Sequence, residues 1–493
     1  MTRSLVLICL LIISCSTVAK LDGKGWRQYQ SENFSLLTDI APEQAKERLL
    51  DLELFRAVVL RITNAKPRQD RVKTTIIIFD RMGDFRKVVN RSGVGGYFSL
   101  RLRGNWMVMP RELPRTSDNF VLYHEYVHYL VRDGKTVYPT WYEEGLADML
   151  GATYVENGRV IVGAASDARI KRLGAGDVYV SLEKVVTRDD IWRWNRYLGS
   201  YFYSMAWAAV NYIHVAGLHD RPDYSRQIGP YLTAVNAGKP RLEAFTDAFG
   251  ITPAQMEKDI MDFLLLKRRG VLAIPVQAFP HPNEITVSDV STRDALYEIA
   301  YLMISSNPKE ARSLLRGLVK ANPEDKRAAS GVAVTYQMEE KFDIGIPMAR
   351  EALDPNDYLT YIELADMLRG SCDQKEPPAD CPARRAEAAS LYRQVLALDP
   401  GNPEGQLGLA RALSQLGEHL DEALLHMVQA YMLWPWSASM NYWLGHVYLQ
   451  LAQKDKALEY LLRASRWNHD DRLGEMILKD LVEIDPAYGE KED

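Results

Sequence analysis

Long apolar runs are missing from this chain. In 493 residues the N-terminal candidate, Leu5 to Ile13, falls well short of the roughly 20 apolar residues that a bilayer-spanning helix needs. A strong excess of either charge is missing too. Net charge is −5 and pI about 6.1, which gives no reason to expect a nucleic-acid partner. The basic stretch Lys267-Arg268-Arg269 reads as a solvated helix end. No phosphate loop is present: Ser92-Gly93-Val94-Gly95-Gly96 lacks the Gly-Lys-Ser/Thr ending. Cysteine is scarce, with four in all: Cys9, Cys15, Cys372 and Cys381. The last two flank a polar, Pro-rich insert, and no neighbouring Cys or His completes a four-ligand zinc site. They read as a disulfide formed in an oxidising compartment, worth at most about 3 kcal/mol for so short a loop.

What is present begins at the N-terminus. Arg3 precedes the apolar run, and together they read as an export signal over residues 1–19. The run ends in Ile12-Ile13-Ser14-Cys15, which resembles the lipobox of bacterial lipoproteins. That resemblance implies cleavage before Cys15, lipidation of Cys15, and anchoring at the periplasmic face of the outer membrane, because Ser16 replaces the aspartate associated with inner-membrane retention. The alternative is a cut after Ala19, behind the small residues Thr17-Val18-Ala19, giving a soluble periplasmic or secreted protein.

The length is too great for one core and suggests two to four units at roughly 100–200 residues each. Residues 22–270 mix periods of two and 3.6. Phe34–Thr38 and Thr74–Phe79 read as strands, Pro42 to Ile62 as a helix, and Asn105 to Met109 as a strand ending at Pro110. Residues 118–131, 140–151, 201–215 and 253–268 read as helices. Pro275, Pro280 and Pro282 mark a linker over 271–290. From 291 to 486 the pattern is all-helical, with Pro323, Pro355, Pro400 and Pro435 near helix ends. Their spacing approaches 34 residues once the Cys-flanked insert is removed. Gly445, Tyr448, Ala457 and Ala464 match the packing positions of a tetratricopeptide repeat, as do Ala423, Ala430 and Pro435, and before them Ala388, Tyr392 and Pro400. The unit at 324–355 is short and degenerate. Repeats of this kind imply a protein partner.

The chemistry centres on His124-Glu125-Tyr126-Val127-His128. On a helix the two histidines share a face and can offer two nitrogens to one metal, with Glu125 beside a water on that metal. Downstream lies Trp141-Tyr142-Glu143-Glu144-Gly145-Leu146-Ala147-Asp148. With it the chain resembles the gluzincin branch of zinc peptidases, the thermolysin and aminopeptidase N group. The resemblance makes Glu144 the third zinc ligand and Asp148 the carboxylate that holds a ligand histidine. Glu143 is the rival ligand, but it stands three residues after Thr140, where a capping box would occupy it. The spacing from His128 to Glu144 is shorter than in aminopeptidase N.

The resemblance implies amide hydrolysis. Zinc activates water, Glu125 acts as general base, and a tyrosine stabilises the oxyanion. Tyr203 fits that last role, with Tyr201 as the alternative. His214 and His219 read as structural or exposed. Asn105 to Met109 is expected as an edge strand that pairs with extended substrate. The expected architecture is an α+β zincin-like metallopeptidase domain followed by an all-α tetratricopeptide-like solenoid. Two functions follow: a zinc-dependent envelope peptidase acting on peptides or proteins, or an interaction scaffold whose metal domain is inactive or structural.

Overall fold

The computed structural model describes Leu21 and residues 23–66, 73–90, 95–111, 118–132, 136–188, 194–266, 271–280, 284–468 and 470–490. The lipobox cysteine, Cys15, lies outside these residues.

The N-terminal half is organised around a mixed sheet. Its elements run β1 (Arg27–Gln30), β2 (Phe34–Thr38), α1 (Pro42–Thr63), β3 (Thr74–Phe79), α2 (Met82–Val89), β4 (Tyr97–Arg101) and β5 (Gly104–Pro110), then helices α3 (Asp118–Val131) and α4 (Thr140–Gly151). The β-branched run Thr74 to Ile78 pairs in parallel with β2 on one side and β5 on the other. Layers pack on both faces of the sheet at this central strand, which is why its sequence is nearly continuous in apolar residues. Alternate residues serve different cores. Leu36, Ile76, Ile78, Met107 and Met109 pack under α1 and α3, whereas Leu37, Ile77, Phe79, Trp106 and Val108 face the opposite layer.

Strand β5 does not have a free edge. It is bonded to β3 and, through a two-residue turn at Leu102-Arg103, to β4. The expectation that Asn105 to Met109 pairs with substrate is therefore withdrawn, because both of its backbone edges are already used. The edge on that side is β4.

A small sheet and a helical layer complete this half. They comprise β6 (Tyr154–Glu156), β7 (Arg159–Val162), α5 (Asp167–Leu173), α6 (Leu182–Thr187), α7 (Arg196–Val215), α8 (Ile228–Asn236), α9 (Arg241–Phe249), α10 (Pro253–Leu264) and β8 (Leu272–Pro275). Helix α7 starts where Asn195 accepts hydrogen bonds from the Tyr197 and Leu198 amides, a standard N-cap. Most of its remaining length is buried, so it forms the floor on which α4 lies.

The stretch read as a linker is knit into both sheets. Strand β8 pairs with β7, and β9 (Thr286–Asp289) pairs with β1 at the far edge of the large sheet. Beyond it come α11 (Thr292–Ser306), α12 (Pro308–Ala321), α13 (Lys326–Gln337), α14 (Phe342–Glu351), α15 (Tyr358–Gly370), α16 (Cys381–Leu398), α17 (Pro403–Leu416), α18 (Leu420–Leu433), α19 (Ala438–Gln450), α20 (Lys454–Trp467) and α21 (Asp471–Ile484). These stack as helical hairpins, a repeat solenoid. Gly445 sits where a Cβ would lie 2.9 Å from Leu461 and 3.2 Å from the Ala457 carbonyl, which is why a small residue is required at that crossing. Cys372 and Cys381 are joined by a disulfide at the α15–α16 junction. The first hairpin does a second job. Ala295, Leu296, Ile299 and Met303 of α11 share one core with Phe79, Phe85 and Trp106, so the repeats cover the sheet face that α1 and α3 leave open.

Candidate metal centre

Helix α3 is fixed from below by its tyrosines. Tyr123 stacks on Phe55 of α1 at 3.9 Å between ring centroids, and Tyr126 packs on Phe34 and Phe98. Apolar packing on that side turns His124 and His128 towards α4. Their Nε2 atoms lie 3.1 Å apart. Glu144 Oε2, from α4, lies 3.2 Å from His124 Nε2 and 3.6 Å from His128 Nε2. Two atoms bound tetrahedrally to one zinc at about 2.0–2.1 Å stand roughly 3.3 Å apart. The triangle of donors therefore fits zinc. Among the described residues these three are the group of His, Cys, Asp or Glu whose ligand atoms come together in this way. The side chains of His124, His128 and Glu144 are 11, 9 and 18 % exposed: held by packing, yet open on one side.

Each histidine has a carboxylate behind it. His124 Nδ1 lies 2.9 Å from Asp148 Oδ1, and Asp148 Oδ2 is 2.5 Å from the Arg169 guanidinium of α5. His128 Nδ1 lies 3.1 Å from Glu143 Oε1, which also accepts from Arg132 Nε at 2.6 Å. Such partners fix the tautomer that leaves Nε2 free for a metal. Glu143 is thus not part of a capping box. Helix α4 begins at Thr140 with Pro139 as its cap residue, and the Glu143 carboxylate is turned to His128 and Arg132. It sits on the far nitrogen of His128, away from the point where the Nε2 atoms converge. A genuine capping box does occur, at Thr252 and Gln255 of α10.

Two supporting residues were not anticipated from the sequence. Arg132 carried a local signal, since it follows His128 by one helical turn. Arg169 carried none; it is brought in by the fold of α5 against α7.

The two tyrosine candidates separate. Tyr201 packs edge-on against Tyr179, and the charges it senses are Glu257 and Arg172. Tyr203 faces the centre. Burial, then the charges of Glu144, Asp148 and Glu125, push its hydroxyl upward, and the Arg169 cation lies 5.7 Å from its ring. Glu125 is exposed on α3. His214 takes no part: its Nε2 lies 3.2 Å from the Tyr142 hydroxyl, and burial pulls it down to about 4.

Without a metal the cluster is held by charge. Burial pulls both imidazoles down, but Asp148 and Glu144 outweigh it at His124, and Glu144 and Glu143 outweigh it at His128; the results are about 9 and about 10. Burial pushes Glu143 up, but Arg132 and His128 outweigh it and hold it at about 2. Glu144 lies low for the same kind of reason. The signs define a window. Histidines raised above their ordinary 6.5 stabilise the fold fully below that value, and the contribution is lost as pH climbs through about 9 to 10. The lowered carboxylates stabilise above 4.5, and theirs is lost as pH falls towards about 2. The metal-free protein is expected to show a higher urea midpoint at a pH of about 5.5 than at about 9.5, with the difference reduced in Glu144→Gln. An equal midpoint at both values would contradict the charge pairing.

Residues 384–419, spanning α16 and α17, match the Tetratricopeptide repeat family. No curated protein matches the chain in sequence. Solved structures with similarity include a thermophilic tetratricopeptide-repeat protein of Thermus thermophilus, at 19% identity and a TM-score of 0.32, covering 38% of this chain and 99% of that one. Pseudomonas aeruginosa pilF is similar at 18% identity and TM-score 0.32, covering 40% and 88%. YrrB, described as a repeat protein with an unusual peptide-binding site, follows at 19% and 0.29, covering 38% and 91%. The matched repeat supports a protein–protein interaction or scaffold role for the C-terminal half.

Proposed function

We propose that this chain is a zinc-dependent peptidase of the cell envelope whose repeats engage a protein partner. The observation that carries the reading is the convergence of His124 Nε2, His128 Nε2 and Glu144 Oε2, each histidine backed by its own carboxylate. Bound zinc would supply Lewis acidity towards a scissile carbonyl and a water of near-neutral pKa. Glu125 takes a proton from the attacking water and returns it to the leaving amine. Tyr203, kept neutral by burial and by the surrounding carboxylates, donates its hydroxyl to the developing oxyanion. Asp148 and Glu143 hold the imidazoles, and Arg169 and Arg132 hold those carboxylates in turn. Export through the signal at residues 1–19, with lipid on Cys15, belongs to the same proposal.

The test is metal content beside turnover. The purified protein is expected to bind one zinc ion. Tyr203→Phe should keep that zinc and lose hydrolysis of an unstructured protein substrate by about 10²- to 10³-fold. A wild-type protein that takes up no zinc would sink the reading, and loss of zinc in Tyr203→Phe would reduce Tyr203 to a packing role.

The second reading is an interaction scaffold with a structural metal domain, and the repeat match at residues 384–419 favours it directly. Deleting the repeats cannot test it, because α11 completes the core behind the sheet. The discriminating result is cellular: a full phenotype in Glu125→Gln would select the scaffold.

A further inference from the structure

The turn between β4 and β5 does not end in solvent. Leu102-Arg103 reaches into the layer formed by the first helices of the repeats, which pack side by side from α13 through α19. Arg103 lies 3.3 Å from Glu404 at the start of α17 and 3.6 Å from Glu363 of α15. Its guanidinium sits 4.1 Å above the Tyr301 ring of α11. Arg101 lies 4.9 Å from the same ring and donates to the Ser305 hydroxyl at 3.0 Å. Leu102 packs against the apolar cluster that includes Ala410 and Trp443. One hairpin of the N-terminal half therefore touches α11, α15, α17 and the cluster shared with α19.

This is how an arginine-tipped extended segment would be recognised: two carboxylates for the guanidinium, a tyrosine face for its plane, and an apolar seat beside it. A buried ion pair of this kind confers register more than net stability, since desolvation cancels much of the attraction. The seat is specific without being sealed: Arg103 and Glu404 are 15 and 17 % exposed.

The other end of the hairpin leads to the metal helix. Strand β4 is the sheet edge, and its Phe98 packs on Tyr126 and Tyr129 of α3, the helix that carries His124 and His128. Strand β4 thus joins the seat of Arg103 at one end to α3 at the other.

We infer that the Leu102-Arg103 tip of the β4–β5 hairpin is a resident ligand of the repeat groove, anchored by Arg103, and that a protein partner presenting an arginine on an extended segment displaces this tip and loosens β4 where it packs on the metal helix. Exchange of an internal segment for an external one would then couple the repeats to the helix that carries His124 and His128, a coupling that rests on the proposed function of that centre.

Hydrogen exchange and peptide binding on the full chain test this, and neither depends on hydrolysis. In Arg103→Ala the amides of residues 97–101 are expected to exchange at least tenfold faster, with residues 159–162 of β7 unchanged. A labelled peptide copying residues 99–106 should bind Arg103→Ala at least tenfold more tightly than wild type, whose groove is filled. Arg103→Lys should restore part of the protection. Should Arg103→Ala exchange rapidly everywhere, Glu404→Gln carries the exchange readout, with faster exchange of residues 97–101 and no gain in peptide binding, because the seat for the peptide's own arginine is weakened as well. Unaltered protection of β4, or equal peptide binding by Arg103→Ala and wild type, overturns the inference.

Discussion

Glu125→Gln is expected to remove peptide hydrolysis and leave everything else in place. The size of the loss should be about 10²- to 10⁴-fold, the range for a positioned general base. The isolation of the effect follows from where Glu125 sits. It lies on the exposed side of α3, while the donors that converge are His124, His128 and Glu144. Glutamine keeps the shape and the hydrogen-bonding capacity of the side chain but cannot accept the proton of an attacking water. Zinc per chain should therefore match wild type, and the urea midpoint should move by no more than about 0.5 kcal/mol equivalent, as for exposed substitutions in general. Hydrolysis is followed on a quenched fluorescent protein substrate alongside metal analysis of the same preparation. A variant that retains its zinc and still cleaves at the wild-type rate would remove Glu125 from the mechanism. Hydrolysis would then rest on another proton acceptor, and the peptidase proposal would stand without Glu125 in that role.

How much of this was legible depends on the range of the interaction. The strands Phe34–Thr38 and Thr74–Phe79 and the helix at 118–131 are found where their periodicity places them, because a buried strand or an amphipathic helix writes its own pattern. The pair His124 and His128, and Glu144 with Asp148, are likewise local: each pair is separated by one helical turn. Errors arose where two patterns compete. Thr140 and Glu143 have the spacing of a capping box, yet Pro139 fixes the start of the helix, and Arg132 and His128 draw the carboxylate away. The sequence of Asn105 to Met109 reads equally well as an edge or a central strand; only the turn at Leu102-Arg103, which folds β4 onto it, decides. The short elements α2, α5 and α6 have too few turns to show a period. Arg169 at Asp148, and Arg103 in the repeat groove, bridge residues far apart in the chain, and no local pattern announces such pairs.

Gly145 carries the other large expected effect, and the motif alone did not explain why a glycine stands between Glu144 and the rest of α4. The fold supplies the reason. Helix α4 crosses α7 with almost no gap, so that a Cβ at position 145 would lie 2.3 Å from the Ala206 carbonyl oxygen, 2.7 Å from its carbon and 2.6 Å from Val210 Cγ2. Two of those three atoms are backbone inside a buried helix and cannot swing aside. Alanine in a helix interior normally gains about 1 kcal/mol over glycine. Here overpacking, typically about 1–3 kcal/mol and occasionally more, should reverse the sign. Gly145→Val should destabilise by about 3 kcal/mol or more. Gly199, on α7 itself, is the internal control. Nothing lies within 4 Å of its would-be Cβ, so Gly199→Ala should stabilise by roughly 0.5–1 kcal/mol. The functional consequence follows from what the two helices carry. Glu144 rides on α4 and Tyr203 on α7, and separating them by as little as about 1 Å can cost on the order of 10²-fold in turnover. Gly145→Ala is thus expected to lose activity out of proportion to its loss of stability, measured below the unfolding transition with zinc in excess. If it instead unfolds at a higher temperature than wild type with full activity, the close crossing of α4 and α7 does not set the distance between Glu144 and Tyr203.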